Sequence, residues 1–475
     1  MTEIYLDQNW QQIQPQRSVN ETNFTSGSIL FNFNVSGLNR VSMKDSYFVV
    51  KSSLTRGDGT FHAVSDKVTY AHNWTSALFT NVSVRVSGQE VSACNQYNHL
   101  AHTVKMRQSI EANLLSNNYR DMMDYDIDFT RRLQKHCKAS GTLVVAGTSQ
   151  TAEREDGMTE LSNLSGVVIR NGDTTRYTIY QPLNLGVFDL GHGAVCGDIS
   201  IMLNPNPQYL TSCVESAYFA NDAARDFTPA VPGANNAAGQ YKFEINSIVF
   251  MACYAKATKP LDNVKTFVIH EYSVMNKLYA PQLEFQVLPS TEQITVFVQD
   301  QAAGTSTIIP ATSFKTRQYT HAEVNGWAVK FGKQYTPDEN AQIQVTLGAI
   351  TKPPIMLDPY ANIPDESGQV LRWLMTHQYM EEDKRYYERF NDWCSSPYFT
   401  FDVKRDSSDT SGFVTVRSNY DLTSTIGAAT GTAVGARVWP GTNNIPLLFC
   451  VSKYSKVVRI EYSSGYVTSI QMQNV

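Results

Sequence analysis

Apolar residues recur at every second position along much of the chain, the spacing that turns one face of a β-strand to a core and the other to solvent. Ile29, Phe31, Phe33 and Val35 alternate in this way, and Val82, Val84 and Val86 do so ahead of a Ser87-Gly88 turn. Tyr241, Phe243 and Ile245 open a strand that runs into Ile248-Val249-Phe250. Leu283, Phe285 and Val287 follow, then Ile294, Val296 and Val298, then Ile343, Val345 and Leu347. A last pair, Val457–Ile460 and Tyr466–Ile470, flanks Ser464-Gly465. Short strands punctuated by Gly, Asn, Ser and Pro predict a sandwich or barrel.

Two segments carry helical spacing instead. Leu100, Val104, Ile110 and Leu114 sit on one face of the first. Leu371, Met375, Tyr379, Tyr386 and Phe390 do so in the second, with Glu381–Arg385 on the opposite side. Each helix follows an alternating strand (82–86 and 343–347) and precedes further strands, so the pattern predicts two copies of one β-rich, helix-bearing unit. Lys259-Pro260-Leu261-Asp262 breaks the strand before it and marks the seam. Two Gly/Ala/Thr-rich stretches, 228–239 and 423–435, are expected to be surface loops, facing outward in any assembly.

Composition changes the picture by what it lacks. The 475 residues include 39 basic and 44 acidic side chains, a net charge of −5, and only 17 % are charged, against about 25 % in an ordinary domain. Tyr is abundant at 25 residues. Scarce charge with much Tyr suits surfaces that other subunits cover. It excludes a disordered chain and a basic nucleic-acid binder. The first 50 residues hold Arg17, Arg40 and Lys44 against Glu3, Asp7, Glu21 and Asp45, so no basic arm is there to neutralise phosphates. No apolar run nears the about 20 residues that span a bilayer. Met1–Gln8 has neither a basic segment nor an apolar one after it, so no secretory signal is expected. Seven scattered cysteines, none spaced C-x-x-C, read as buried reduced thiols of an intracellular compartment. The six N-x-[ST] sequons, at Asn20, Asn23, Asn34, Asn73, Asn81 and Asn163, then reflect composition rather than glycosylation.

Candidate chemistry fails one test after another. Asp121, Asp124, Asp126 and Asp128 suggest a calcium loop, but from Asp124 the sixth and twelfth positions are Phe129 and Lys135, not Gly and Glu. His99 and His102, with Cys94 upstream, fall short of a four-ligand zinc set. Gly191–Asp198 places His192 beside Cys196, yet a catalytic pair needs a base with its own orienting partner; a Gly-rich turn before a strand explains the segment with less. Gly427, Gly431 and Gly435 repeat every fourth residue in a polar loop, not a membrane helix. Arg131, Arg132, Lys135 and Lys138 form a solvated face. No phosphate-loop, nucleophile-elbow or zinc-protease motif occurs. The sequence predicts no catalytic, cofactor-binding or metal site, and no cofactor.

Several segments, taken in order, resemble double jelly-roll major capsid proteins. Ala77–Val91 (ALFTNVSVRVSGQEV), followed by a Tyr-containing helix, is similar to the family's strand pair "lf-x-x-v-x-v-x-x-n-G-x-x-v". Tyr180–Asp189 and Asp198–Leu203 resemble its "p-L-x-l-x-i-f" and "d-i-x-i-x-L" strands. Ser411–Ser418 and Lys456–Ile460 with Gly465 resemble its closing segments. The family's helix motif Y-P-Y-R-A-Y is here replaced by Asn95–His102, and the chain is short for the class. The resemblance points to capsid proteins of virophages, Polinton-like viruses and adintoviruses, with adenovirus hexons more distant.

The resemblance implies an all-β fold of two tandem eight-stranded jelly-roll sandwiches, each with an inserted helix. It implies an arm at 1–25 lying under the shell or clasping a neighbour, a first jelly roll at 26–258 and a second at 259–475. It further implies a non-enzymatic homotrimer, a pseudo-hexagonal capsomer of an icosahedral DNA-virus shell. Its partners would be other capsomers, penton proteins and minor or cement proteins, without membrane insertion, and the chain would be made inside the host cell for the virion. Two other classes remain open. A two-domain carbohydrate- or receptor-binding sandwich would cluster its tryptophans, whereas Trp10, Trp74, Trp327, Trp373, Trp393 and Trp439 are dispersed. A cupin-like enzyme would need a His/Glu metal triad.

Overall fold

The computed structural model describes residues 5–60, 69–70, 74–109, 175–215, 231–233, 240–259, 262–302, 308–309, 343–352, 398–403, 412–418, 444–463 and 466–474. The strands before the seam are β1 (Tyr5–Ile13), β2 (Ile29–Val35), β3 (Asn39–Arg56), β4 (Thr69–Tyr70), β5 (Phe79–Val86), β6 (Gln89–Cys94), β7 (Thr175–Tyr180), β8 (Gly197–Pro205), β9 (Val214–Glu215), β10 (Val231–Pro232) and β11 (Gln240–Ala257). After it come β12 (Val264–Leu278), β13 (Gln282–Gln286), β14 (Thr291–Ala302), β15 (Ile308–Ile309), β16 (Ile343–Leu347), β17 (Ile350–Lys352), β18 (Phe399–Asp402), β19 (Phe413–Ser418), β20 (Asn444–Ser463) and β21 (Tyr466–Asn474). Helices are few: α1 (Trp74–Ala77), α2 (Asn98–Ser109) and α3 (Tyr209–Ser212), with a 3-10 turn at Gly186–Asp189.

The strand order shows two copies of one topology. The first half builds a sheet β1-β11-β3-β7 and a sheet β2-β8-β5-β6. The second builds β12-β20-β14, with β18 also on β14, and β13-β19-β16-β17. Leaving out β4, β9, β10, β15 and β21, each half has eight strands, with the first beside the eighth and the second beside the seventh. That is a jelly roll, in which Greek-key crossings bring sequence-distant strands together. Every strand pair among the described residues lies within one half.

Each sandwich is held by its inward face. Phe31 of one sheet meets Phe48 of the other edge-on at 5.3 Å, and Phe48 meets Phe250 at 4.7 Å. Trp74 is fully buried, with Tyr70 and Phe243 at 5.0 and 5.6 Å. Ile294, Val296, Val345, Leu347, Val414 and Val416 are fully buried in the second half. The hairpin between β5 and β6 turns where expected: Ser87 and Gly88 both have positive φ (47° and 84°), the geometry of a two-residue turn that matches strand twist.

Two expectations are refined. Residues 5–13, expected to form an arm, pair antiparallel with β11 within the same chain and supply the first strand of the first sheet. The strand opened by Tyr241 continues unbroken to Ala257, with register shifts at Ile245/Ser247 and Met251/Cys253. Helix α2 covers Leu100 and Val104, while Ile110, Leu114 and the helix expected at 371–390 lie outside the described residues.

Candidate functional site

The residues singled out for metal chemistry sit in packing positions. His99 and His102 of α2 are buried, and burial holds both imidazoles down, to about 4. His102 Nε2 lies 2.8 Å from the Gln181 carbonyl oxygen, and its ring tilts against Tyr180 at 5.6 Å. Cys94 contacts the Gln96 carbonyl at 3.8 Å, and burial pushes its thiol up to about 12. Neutral, enclosed groups of this kind anchor a helix rather than offer lone pairs to an ion. Among the described residues no three His, Cys, Asp or Glu side chains are grouped to hold a metal.

The structure separates the neighbours His192 and Cys196. Cys196 is buried in the core, whereas His192 Nε2 lies 3.9 Å from Cys253 Sγ on β11. Gln8 of β1 donates to that sulfur at 3.0 Å. Burial raises the Cys253 thiol and lowers the His192 imidazole, so neither nucleophilic thiolate nor imidazolium is favoured. Cys94, Cys196, Cys213, Cys253 and Cys450 are free and buried, while Cys137 and Cys394 lie outside the described residues. The Asp121–Asp128 group, the Arg131–Lys138 group, Gly427, Gly431, Gly435 and the loop 423–435 lie outside the described residues, as does most of 228–239. The two described tryptophans are apart: Trp74 is in the core, and half-exposed Trp10 donates Nε1–H to the Asp45 carbonyl at 3.0 Å. No helix among the described residues is long and apolar enough to cross a membrane.

What the fold does concentrate is contact between its two jelly rolls. Tyr97, ahead of α2, meets Phe449 of β20 edge-on at 5.3 Å. Gln108 of α2 donates to Thr400 and Thr295 Oγ1 at 2.9 and 3.2 Å. Lys456 of β20 donates to the Val91 carbonyl of β6 at 2.8 Å. Arg40 of β3, 1 % exposed, donates to the Gly37 and Asn39 carbonyls at 3.0 and 2.9 Å and to Lys259 O at the seam at 3.0 Å. Ser92 of β6 donates to the buried Glu271 of β12 at 2.6 Å. Sequence reasoning missed Arg40 and Glu271, because an isolated charge inside a strand pattern reads as solvent-facing. The outer surface shows Tyr177, Val264, Val268, Leu278, Phe413 and Tyr466 to solvent.

No family model and no curated protein sequence matches the chain. Among solved structures it is similar to the 3.5 Å cryo-EM structure of the Sputnik virophage, with a TM-score of 0.57 and 11 % identity over 99 % of this chain and 89 % of that one. The crystal structure of the mavirus major capsid protein also aligns, with a TM-score of 0.45 and 9 % identity over 98 % of this chain and 90 % of that one. The chain has the double jelly-roll fold of viral major capsid proteins.

Proposed function

We propose that the chain is a viral major capsid protein, a structural subunit and not an enzyme. Three copies stand as a pseudo-hexagonal capsomer of an icosahedral shell. The observation that carries this reading is the repeated eight-strand topology locked side by side by a buried junction. Two like units per chain make three chains six-cornered, and such blocks tile a surface near-hexagonally. The first unit ends at residue 258 and the second begins at 259, with β1 belonging to the first. Scarce charge and abundant Tyr support contact with identical neighbours. The chain is made inside the host cell, and penton and minor or cement proteins complete the shell. Electron microscopy and mass measurement of the purified protein at high concentration test the reading. Hexagonal trimers or shells are expected; bilobed monomers alone would overturn it.

A further inference from the structure

Strand β12 enters the junction against β6, α2 and the Gly186–Asp189 turn. The approach is close: a Cβ on Gly186 would lie 2.6 Å from the His270 carbonyl oxygen and 2.7 Å from its nitrogen. Glu271, the next residue, is 1 % exposed at this junction. Its Oε1 accepts the Ser92 hydroxyl at 2.6 Å, while Oε2 has no hydrogen-bond partner. Among the described residues no cation forms an ion pair with it. Lys456 favours its charge from a distance, and the amides of Ala93 and Gly186 also face it.

We infer that Glu271 makes the docking of the two jelly rolls proton-linked: binding of one proton tightens the junction, and its release loosens it. An ionised carboxylate buried with one hydroxyl donor, two backbone amides facing it and only a distant lysine disfavours the closed state, whereas the neutral acid fits the same space without that cost. Burial outweighs Ser92, Lys456 and the Ala93 and Gly186 amides, and pushes this carboxyl up to about 7. A group raised in the closed state stabilises it fully below the ordinary value of 4.5, and loses that contribution as pH rises through about 7.

Other titratable groups surround it. On β6 are Cys94 and Glu90, the latter beside Arg85. Asp189 of the turn lies 3.7 Å from Lys105 of α2, which also carries His99 and His102. On β20 stand its cross-strand partner Tyr454, with Lys453 and Lys456. On β12, Tyr272 is buried, and His270 Nδ1 lies 3.7 Å from Glu292 and 3.1 Å from Ser455 Oγ. The inference concerns one chain and does not depend on the capsid reading.

The test is hydrogen exchange at the β6 and β12 amides, corrected for intrinsic rates, in wild type and Glu271→Gln. Because the histidines titrate in both proteins, the ratio of their opening constants isolates the carboxyl. That ratio should rise by up to about tenfold per pH unit between the two values above and then level off. A flat ratio would overturn the proposal. Ser92→Ala, which removes the bond that favours the charge, should carry the rise in the wild-type profile on to higher pH before it levels off. An unmoved profile would count against it even if the Gln variant failed to fold.

Discussion

Arg40 keeps a guanidinium inside the protein by aiming it at three carbonyls, one of them Lys259 O at the seam. Arg40→Ala leaves those oxygens without their donor, and Arg40→Lys cannot reproduce the planar fork. Each should cost about 3 kcal/mol in denaturant-induced unfolding, the scale for losing charged hydrogen bonds in a buried site. The two buried histidines act through pH. Both are held at about 4 against an ordinary 6.5, so the unfolded chain binds protons that the folded one refuses. Their contribution is present above 6.5 and is lost as pH falls toward 4. Glu271 pulls the other way over much of that range, but two groups outweigh one. The thermal midpoint should fall on acidification, and His102→Gln should flatten the fall.

The β5–β6 turn holds one residue poorly suited to its conformation. Both central positions need positive φ, which Gly88 supplies freely and Ser87 does not. Asn is the preferred residue at the first position, so Ser87→Asn should raise stability by about 0.5 kcal/mol, while Gly88→Ala should lower it by about 1 kcal/mol, both read by denaturant titration. This hairpin was legible because its signal is local: alternating valines, then two turn residues. Strands β1, β3 and β12 were not. In β1, YLDQNWQQI has no apolar face, and it is a strand because β11 offers it a backbone ladder. In β3, Lys44-Asp45 interrupts an 18-residue strand that is buried on much of both faces. Helix α2 shows little amphipathic contrast because its described side chains are buried all round, its polar residues bonding to both jelly rolls. Partners distant in sequence decide these elements, and no window of residues contains them. The same holds for Glu271, whose role follows from Ser92 and Gly186 across the junction.

At the scale of the molecule, the two halves differ by one strand that matters. β21 has no counterpart in the first jelly roll, and pairs with β20 over Lys456–Ser463, beyond the reach of β14. Its Val467, Ile470 and Met472 pack against the common core. Val467 presses on the first jelly roll at Gly197, where an added Cβ would lie 2.8 Å from its Cγ2 and where φ is +100°. The C-terminal hairpin thus works as a clasp across two otherwise similar blocks. Gly197→Val meets both a steric and a backbone barrier, and should free the clasp while straining the start of β8. Deleting 466–475 removes three partly buried apolar side chains, each worth ~1 kcal/mol, together with the outer ladder on β20. Scanning calorimetry should then resolve two transitions where the intact chain gives one, because each jelly roll keeps its eight-strand core pairing while the coupling between them weakens. A single transition, merely shifted to lower temperature, would mean that the junction around Glu271, Gln108 and Arg40 holds the two blocks together without the clasp.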